Sequence, residues 1–516
     1  MAVYPARKHA IKVIQHLTRI VPAELQSKTH YIYISGERTT FRHDTDRELP
    51  FRQESNFMYL SGCGVPSSAL LLEWNPPTHK LTTKLFIPAE DPLETMWSPP
   101  PPTPEFAART HDADAIFFTS TLSTALSAIP SAENAVLHVL PTATTFPAHL
   151  QPPPPGRATD EYLFRAIAEA RLTKTDEEIA LMRTANTISS RAHEVVMRLL
   201  GKGVRSALPE KKDILLPGDW LIEKESEAEA VFVASCRREG AVHQAYLPIV
   251  AASTRASTLH YCCNDREFAW GPTTHQHPDA PLRHAHGLEN HEILPQVLLI
   301  DAGCEWSCYA ADITRTMPVG NGGKFTDEAG AIYELVLQMQ KDALALVKAG
   351  THWDDVQHTC HVTLVRGFLK LGLFKGSEQE ILDSDVTTAF FPHGVGHSIG
   401  LDVHDVPSAS RPPAANNVTI PALSGKHSKF HTYLRLRLPL RAGMVVTVEP
   451  GIYFSPHLLA PVRNSPLIDH AVLARYEPVG GVRIEDVVLV TETGHELLSP
   501  VGKERDWVEG VCSGTL

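Results

Sequence analysis

No run of apolar residues in this chain of 516 approaches the roughly 18 that a membrane-spanning helix needs, so no membrane role through a helical span is expected. Cysteine is scarce: eight residues, scattered, are too few for a disulfide scaffold. The N-terminus has no apolar signal core, so the expected compartment is reducing and cytoplasmic. Positive charge is also short. Forty-seven Lys and Arg against 59 Asp and Glu leave a net charge of −12, with no long basic run, which excludes nucleic acid as the main partner. A phosphate loop of Walker form is missing, and Ser235-Cys236 has no recognisable base motif beside it, so a cysteine nucleophile is not supported. The chain does have a 43% apolar content, enough for a substantial core, and 40 prolines that cluster. Residues 1–23 carry Arg7, Lys8, Lys12 and Arg19 with no acid before Glu24; a mitochondrial transit segment is the alternative address, although this one is poor in serine.

The clustered prolines suggest a division. Up to about residue 150, Tyr31–Ile34, Ala69–Leu72 and Lys84–Ile87 read as strands, Pro99–Pro102 as a stiff loop and Ser120–Ile129 as a short helix, an α/β pattern. The run Gln151-Pro152-Pro153-Pro154-Pro155-Gly156 breaks regular structure. Two domains are therefore expected, 1–160 and 161–516, joined between Pro152 and Asp176. In the second, Thr175 and Glu178 form a capping-box signature ahead of a helical stripe through Ile179, Met182, Ile188, Ala192, Val195 and Leu199. Further helices are expected over Asp327–Lys348, capped by Thr326, and over Trp353–Leu371, ended by Gly372. Strands are expected at Val297–Ile300, Tyr309–Met317, Met444–Val448 and Val482–Val490, an α+β layout. Asn264–Gln296, with five histidines, and Ser408–Phe430 read as inserted loops.

The chemistry-bearing residues all lie in the second part. Asp301 and Asp312 each follow apolar residues, a costly place for a charge without a partner. Their positions are symmetric about the 306/307 junction, so a hairpin turning there would make them cross-strand neighbours, with Cβ atoms about 5 Å apart. Such a pair could bridge two metal ions. The segment Pro392-His393-Gly394-Val395-Gly396-His397-Ser398-Ile399-Gly400-Leu401-Asp402-Val403-His404-Asp405 places three histidines among glycines that permit close backbone approach. Glu449 ends an apolar strand. Glu485 lies in another, with Arg483 two residues earlier and so on the same face of a regular strand, where it can orient acidic ligands. Two Asp, a His and two Glu make an oxygen-rich set suited to Mn²⁺, with Zn²⁺ or Co²⁺ as the alternatives. Cys304 and Cys308, between the aspartates, read as core packing rather than thiol ligands.

The motifs Asp301-Ala302-Gly303, Asp312-Ile313-Thr314-Arg315, His393-Gly394-Val395-Gly396-His397, Glu449-Pro450-Gly451 and Arg483-Ile484-Glu485-Asp486 resemble those of the pita-bread metallopeptidases, in the Xaa-Pro aminopeptidase and prolidase branch. Arg52-Gln53-Glu54-Ser55-Asn56-Phe57 resembles the N-terminal domain of the same branch. The resemblance implies a C-terminal pita-bread domain preceded by a smaller α/β domain, and a homo-oligomer. It implies two divalent ions held by Asp301, Asp312, His397, Glu449 and Glu485, with Asp312 and Glu485 bridging. His260 and His404 resemble the histidines that contact substrate and the tetrahedral intermediate, and Glu449 is the candidate proton shuttle. Arg435 resembles an arginine that faces the substrate carboxylate in prolidases, with Arg437 and Arg441 competing for that role. The implied activity is hydrolysis of the bond before a penultimate proline in peptides by a metal-activated hydroxide. A dipeptide-restricted prolidase and an inactive binding module on the same fold are the alternatives. Both inserted loops depart from the family pattern.

Overall fold

The computed structural model describes residues 4–141, 158–205, 216–272, 291–411 and 428–516. The run 151–156, four of the insertion's histidines and residues 412–427 of the second insertion lie outside the described residues. Contacts divide the chain into two units, Met1–Thr173 and Lys174–Leu516. This division lies within the Pro152–Asp176 stretch but beyond the 160/161 boundary read from the prolines. The reason is that Ala158–Thr159 joins the first unit's sheet and helix Leu163–Leu172 packs on helix Ala6–Ile20.

The first unit is built on a six-stranded mixed sheet. The antiparallel strands Thr29–Ser35, Ala69–Asn75 and Lys80–Ile87 carry the expected apolar runs, with Ile32, Leu71 and Ile87 buried. Three shorter parallel strands, Ala115–Phe118, Ala135–His138 and Ala158–Thr159, complete it. The basic N-terminal segment forms helix Ala6–Ile20. Ala10, Val13, Ile14 and Leu17 recur at helical spacing and are buried.

The helices of the second unit follow their local signals. Glu178 N–H donates to Thr175 Oγ1 and Thr175 N–H to Glu178 Oε2, a reciprocal cap opening Asp176–Arg205. Thr326 Oγ1 accepts from Ala329 N–H at the start of Asp327–Leu346. Trp353–Leu371 ends where Gly372 adopts φ +78°, a conformation that costs glycine nothing. The last two helices pack on each other. Thr314–Val319, Gln296–Asp301 and Ile249–Ala252 form one antiparallel sheet, and Val445–Val448, Asp486–Val490 and His495–Leu497 another. The two expected insertions are closed off at their ends: Trp270–Pro272 pairs with His291–Ile293, and Arg437 N–H donates to Ser410 O.

Two strand expectations need correction. Asp301 pairs with Thr314, not Asp312, and the hairpin turns at Ser307-Cys308, both at positive φ (50° and 68°), as in a type I′ turn. The segments read as continuous strands, Tyr309–Met317 and Val482–Val490, are interrupted at Ala311–Ile313 and Ile484–Glu485. Both interruptions hold an acidic residue of the site.

Behind the second interruption lies a fully buried ion pair. Arg315 Nη2 meets Asp486 Oδ1 at 2.7 Å, and Lys503 reaches Asp486 Oδ2. Burial pushes the Asp486 carboxyl up, but Arg315 and Lys503 outweigh it and hold the pKa at about 2. This stabilisation is therefore present above the unfolded pKa of about 3.9 and is lost as pH falls through about 2. Asp486→Ala leaves Arg315 buried without its carboxylate. The expected loss is about 3–5 kcal/mol in denaturant unfolding at pH 7, shrinking below pH 4.

Candidate active site

Four carboxylates reach the site from strand ends and breaks. Asp301 closes Gln296–Asp301, Asp312 lies two residues before Thr314–Val319, Glu449 follows Val445–Val448, and Glu485 precedes Asp486–Val490. At such positions the side chain can leave the sheet face while the flanking backbone stays paired. The histidine loop runs along Val445–Val448: His397 N–H donates to Thr447 Oγ1, Thr447 N–H to His397 O, and Glu449 N–H to Val395 O. Gly396 makes this approach possible, since a Cβ there would meet Thr447 O at 2.0 Å. Gly303 does the same for the aspartate hairpin, where a Cβ would lie 2.0 Å from Ala311 O.

The geometry brings the five predicted ligands to one cavity of about 380 Å³. Asp312, His397 and Glu485 each offer a ligand atom within 4.8 Å of the others. His397 Nε2 lies 3.3 Å from Asp312 Oδ2 and 3.4 Å from Glu449 Oε1, while its Nδ1 faces Ser398 O at 3.1 Å. That contact fixes the ring and leaves Nε2 toward the carboxylates. Glu485 Oε2 accepts from Thr314 Oγ1 at 2.7 Å, whereas its Oε1 is buried without a hydrogen-bond partner. A buried carboxylate oxygen with no donor is the atom a cation would satisfy.

The charge balance points the same way. Burial raises the Asp312, Glu449 and Glu485 carboxyls well above their usual range, and neighbouring carboxylates raise them further: Asp301 for Asp312, Glu485 for Glu449, Asp312 for Glu485. Burial also works against Asp301, but the Arg483 guanidinium, 2.7 Å from Oδ2, and the Tyr246 hydroxyl hold it low. Burial depresses His397 to about 4, so its imidazole is neutral and able to ligate. Arg483 is itself held by Tyr453 OH at 2.8 Å and Thr314 Oγ1 at 3.1 Å. It thus touches Asp301 directly, although the strand breaks before Glu485.

Of the remaining predicted residues, His260, His404 and Arg435 line the cavity and Arg437 and Arg441 do not. Arg437 is committed elsewhere, both nitrogens of its fork meeting Asp354 at 3.1 and 2.5 Å. The His404 ring packs edge-on against His397 at 4.5 Å, and burial lowers its pKa to about 3. Cys304 is buried against Ser189, as expected for core packing, whereas Cys308 lies in the hairpin turn and is only half-buried. Sequence reasoning missed Tyr246, whose hydroxyl contacts both aspartates, 2.5 Å from Asp312 Oδ1. It also missed Tyr453, which links Arg483 to His393 Nε2. Neither tyrosine sits in a motif of its own.

Residues 180–492 match metallopeptidase family M24, and residues 8–138 match the aminopeptidase P N-terminal domain. The chain belongs to metallopeptidase family M24. It is 38% identical over 99% of its length, and 97% of theirs, to proteins named probable Xaa-Pro aminopeptidase in Paracoccidioides lutzii and Paracoccidioides brasiliensis. Among solved structures it is similar to aminopeptidase P from Escherichia coli in complex with the inhibitor Pro-Leu, with TM-score 0.72, 25% identity and full coverage of both chains. It is likewise similar to the Pseudomonas aeruginosa aminopeptidase, with TM-score 0.72, 26% identity, and 100% and 99% coverage. M24 membership makes the protein a hydrolase of the metal-dependent kind, with the fold of an aminopeptidase N-terminal domain followed by a catalytic domain. No described helix is long and apolar enough to cross a membrane.

Proposed function

We propose that this chain is an Xaa-Pro aminopeptidase, releasing the N-terminal residue from peptides with proline in second position. The observation that carries this reading is the convergence of Asp301, Asp312, His397, Glu449 and Glu485 on one cavity in a chain similar to enzymes of that name. The orphaned Glu485 Oε1, the neutral His397 and the mutual repulsion of the carboxylates fit a pair of divalent cations. Asp301, Asp312, His397, Glu449 and Glu485 would hold them, Asp312 and Glu485 in the shared role that the resemblance implies. An oxygen-rich set with one histidine favours Mn²⁺. When bound, the ions would lend Lewis acidity to the scissile carbonyl and lower the pKa of attacking water.

The chain's own residues do the rest. His260 and His404 donate hydrogen bonds to the oxygen that becomes negative as the carbonyl carbon turns tetrahedral. Glu449, as a carboxylate, takes a proton from the nucleophile and, once protonated, gives it to the leaving proline nitrogen. That nitrogen must be protonated to leave as a secondary amine. Arg483 and Tyr246 hold Asp301 so that it stays an anion. Glu449→Gln should keep Asp301, Asp312 and Glu485 in place yet lower kcat by about two orders or more.

The dipeptidase reading turns on Arg435. It is exposed, and no hydrogen bond or ion pair to it exists among the described residues. Beside it Leu247 and Tyr433 line the cavity while 74% and 67% exposed, so the cavity opens to solvent and leaves room for a longer peptide. This favours the aminopeptidase. Turnover of an Xaa-Pro-Xaa peptide should exceed that of Xaa-Pro in the same assay. Arg435→Ala should raise KM for the dipeptide by about tenfold or more, the cost of one charge-assisted bond, and affect a long peptide less. Equal effects on both substrates would remove Arg435 from carboxylate recognition.

A further inference from the structure

The loop Ser253–Asn264 brings His260 and Leu259 to the cavity, yet His260 is exposed and its ring has no hydrogen bond among the described residues. Its position must come from the loop backbone. That backbone converges on one side chain. Glu225, at the start of helix Glu225–Arg238, is 0% exposed, and both its carboxylate oxygens are saturated by donors from around the loop. Oε1 accepts from Ala252 N–H at 2.8 Å and Arg255 Nε at 2.6 Å. Oε2 accepts from Tyr261 OH at 2.9 Å and Arg266 N–H at 3.1 Å. The donors bracket the loop: one precedes it, one lies in its first turn, one is the neighbour of His260, and one follows it.

Two further contacts close the frame. Asn264, 4% exposed, accepts from Val250 N–H and donates to Pro248 O, which anchors the loop's end to strand Ile249–Ala252. On the opposite side Gly481 admits the loop's first turn, since a Cβ there would lie 2.3 Å from Ala256 O. A buried carboxylate is expensive unless fully hydrogen-bonded, and this one is satisfied only while the loop holds its observed shape.

We infer that Glu225 is a positioning residue that sets His260 over the reacting carbonyl by tying Ala252, Arg255, Tyr261 and Arg266 to one buried carboxylate. The inference rests on the His260 reading above. Glu225 touches neither substrate nor the ligand carboxylates, so it acts on kcat through the aim of His260. Glu225→Gln keeps size but replaces an acceptor oxygen by a donor that faces donors. Tyr261→Phe removes a single bond next to His260 and leaves the other three.

The test is a kinetic cycle with a proline-containing tripeptide, combining Glu225→Gln and Tyr261→Phe separately with His260→Ala, alongside metal content and thermal melting. Glu225→Gln should lower kcat by about 10- to 100-fold, the scale of a misplaced group near 1 Å, with metal content unchanged. Tyr261→Phe should lower it by a few fold. In the His260→Ala background either change should cost less than about twofold, because the group being aimed is gone. Should Glu225→Gln fail to fold, the Tyr261→Phe arm decides the question alone. If His260→Ala is impaired but the second substitution costs as much with His260 as without it, or costs nothing in either background, Glu225 is a structural carboxylate only and the inference is overturned. If His260→Ala itself retains full kcat, it is the His260 reading that fails.

Discussion

Asp312→Ala should lose at least one divalent ion per chain and lower turnover by many orders of magnitude. It has close partners on several sides: His397 Nε2 at 3.3 Å, the Tyr246 hydroxyl at 2.5 Å, and Asp301 and Glu449, which add to burial in raising its pKa. A carboxylate in that position can serve two ions at once, so its removal costs a ligand to each. The substitution also removes a buried carboxyl that desolvation and its Asp301 and Glu449 neighbours penalise, and it spares Glu485 a carboxylate that raises it. Stability without metal is therefore expected to rise or hold even as activity vanishes. This opposition separates a functional carboxylate from a structural one. Elemental analysis of the purified variant, paired with thermal melting in chelator, reads both quantities. Retention of two ions per chain would remove Asp312 from the ligand set.

His404→Ala should lower kcat by about two to three orders of magnitude while leaving metal content intact, the range found when one donor to a developing oxyanion is removed. The geometry supports a role separate from ligation. His404 lines the cavity and packs edge-on against His397 at 4.5 Å, but it is not among the residues that approach one another within ligand range. Burial keeps its imidazole neutral down to about pH 3, so one ring nitrogen carries a proton to donate across the working range. KM should change little, because the bond strengthens only as the carbonyl oxygen gains charge. Full kcat in a variant that retains both ions would make His404 a bystander.

The helices were legible because their signals are local. Thr175 with Glu178, Thr326, and Gly372 each act within a few residues of the end they define. The acidic residues were legible as a group because a charge after an apolar run demands a partner. Their exact setting was not. The hairpin turns on Ser307-Cys308, a pair without the Asn-Gly or Asp-Gly signature that marks such turns, so the turn was read one residue early and the partner of Asp301 two residues short. Asp312 and Glu485 sit where strands break, and no local pattern announces a break between two apolar stretches. Tyr246 reaches Asp301 and Asp312 from 55 and 66 residues away, a distance at which spacing carries no information. The choice among Arg435, Arg437 and Arg441 depended on Asp354, which lies on a distant helix and claims Arg437. The prolines marked the neighbourhood of the domain junction but not its place, because helix Leu163–Leu172 beyond them returns to the first unit.

Cleavage before proline in this cavity would depend on cations held by Asp301, Asp312, His397, Glu449 and Glu485. The direct measurement strips the protein with a chelator, titrates Mn²⁺ back, and follows both bound metal and the products of an Xaa-Pro-Xaa peptide. No turnover is expected without metal, with recovery as occupancy approaches two ions per chain and release of the free N-terminal residue together with a fragment beginning in proline. Full turnover by the metal-free protein, or a fragment cut after the proline, would contradict this expectation.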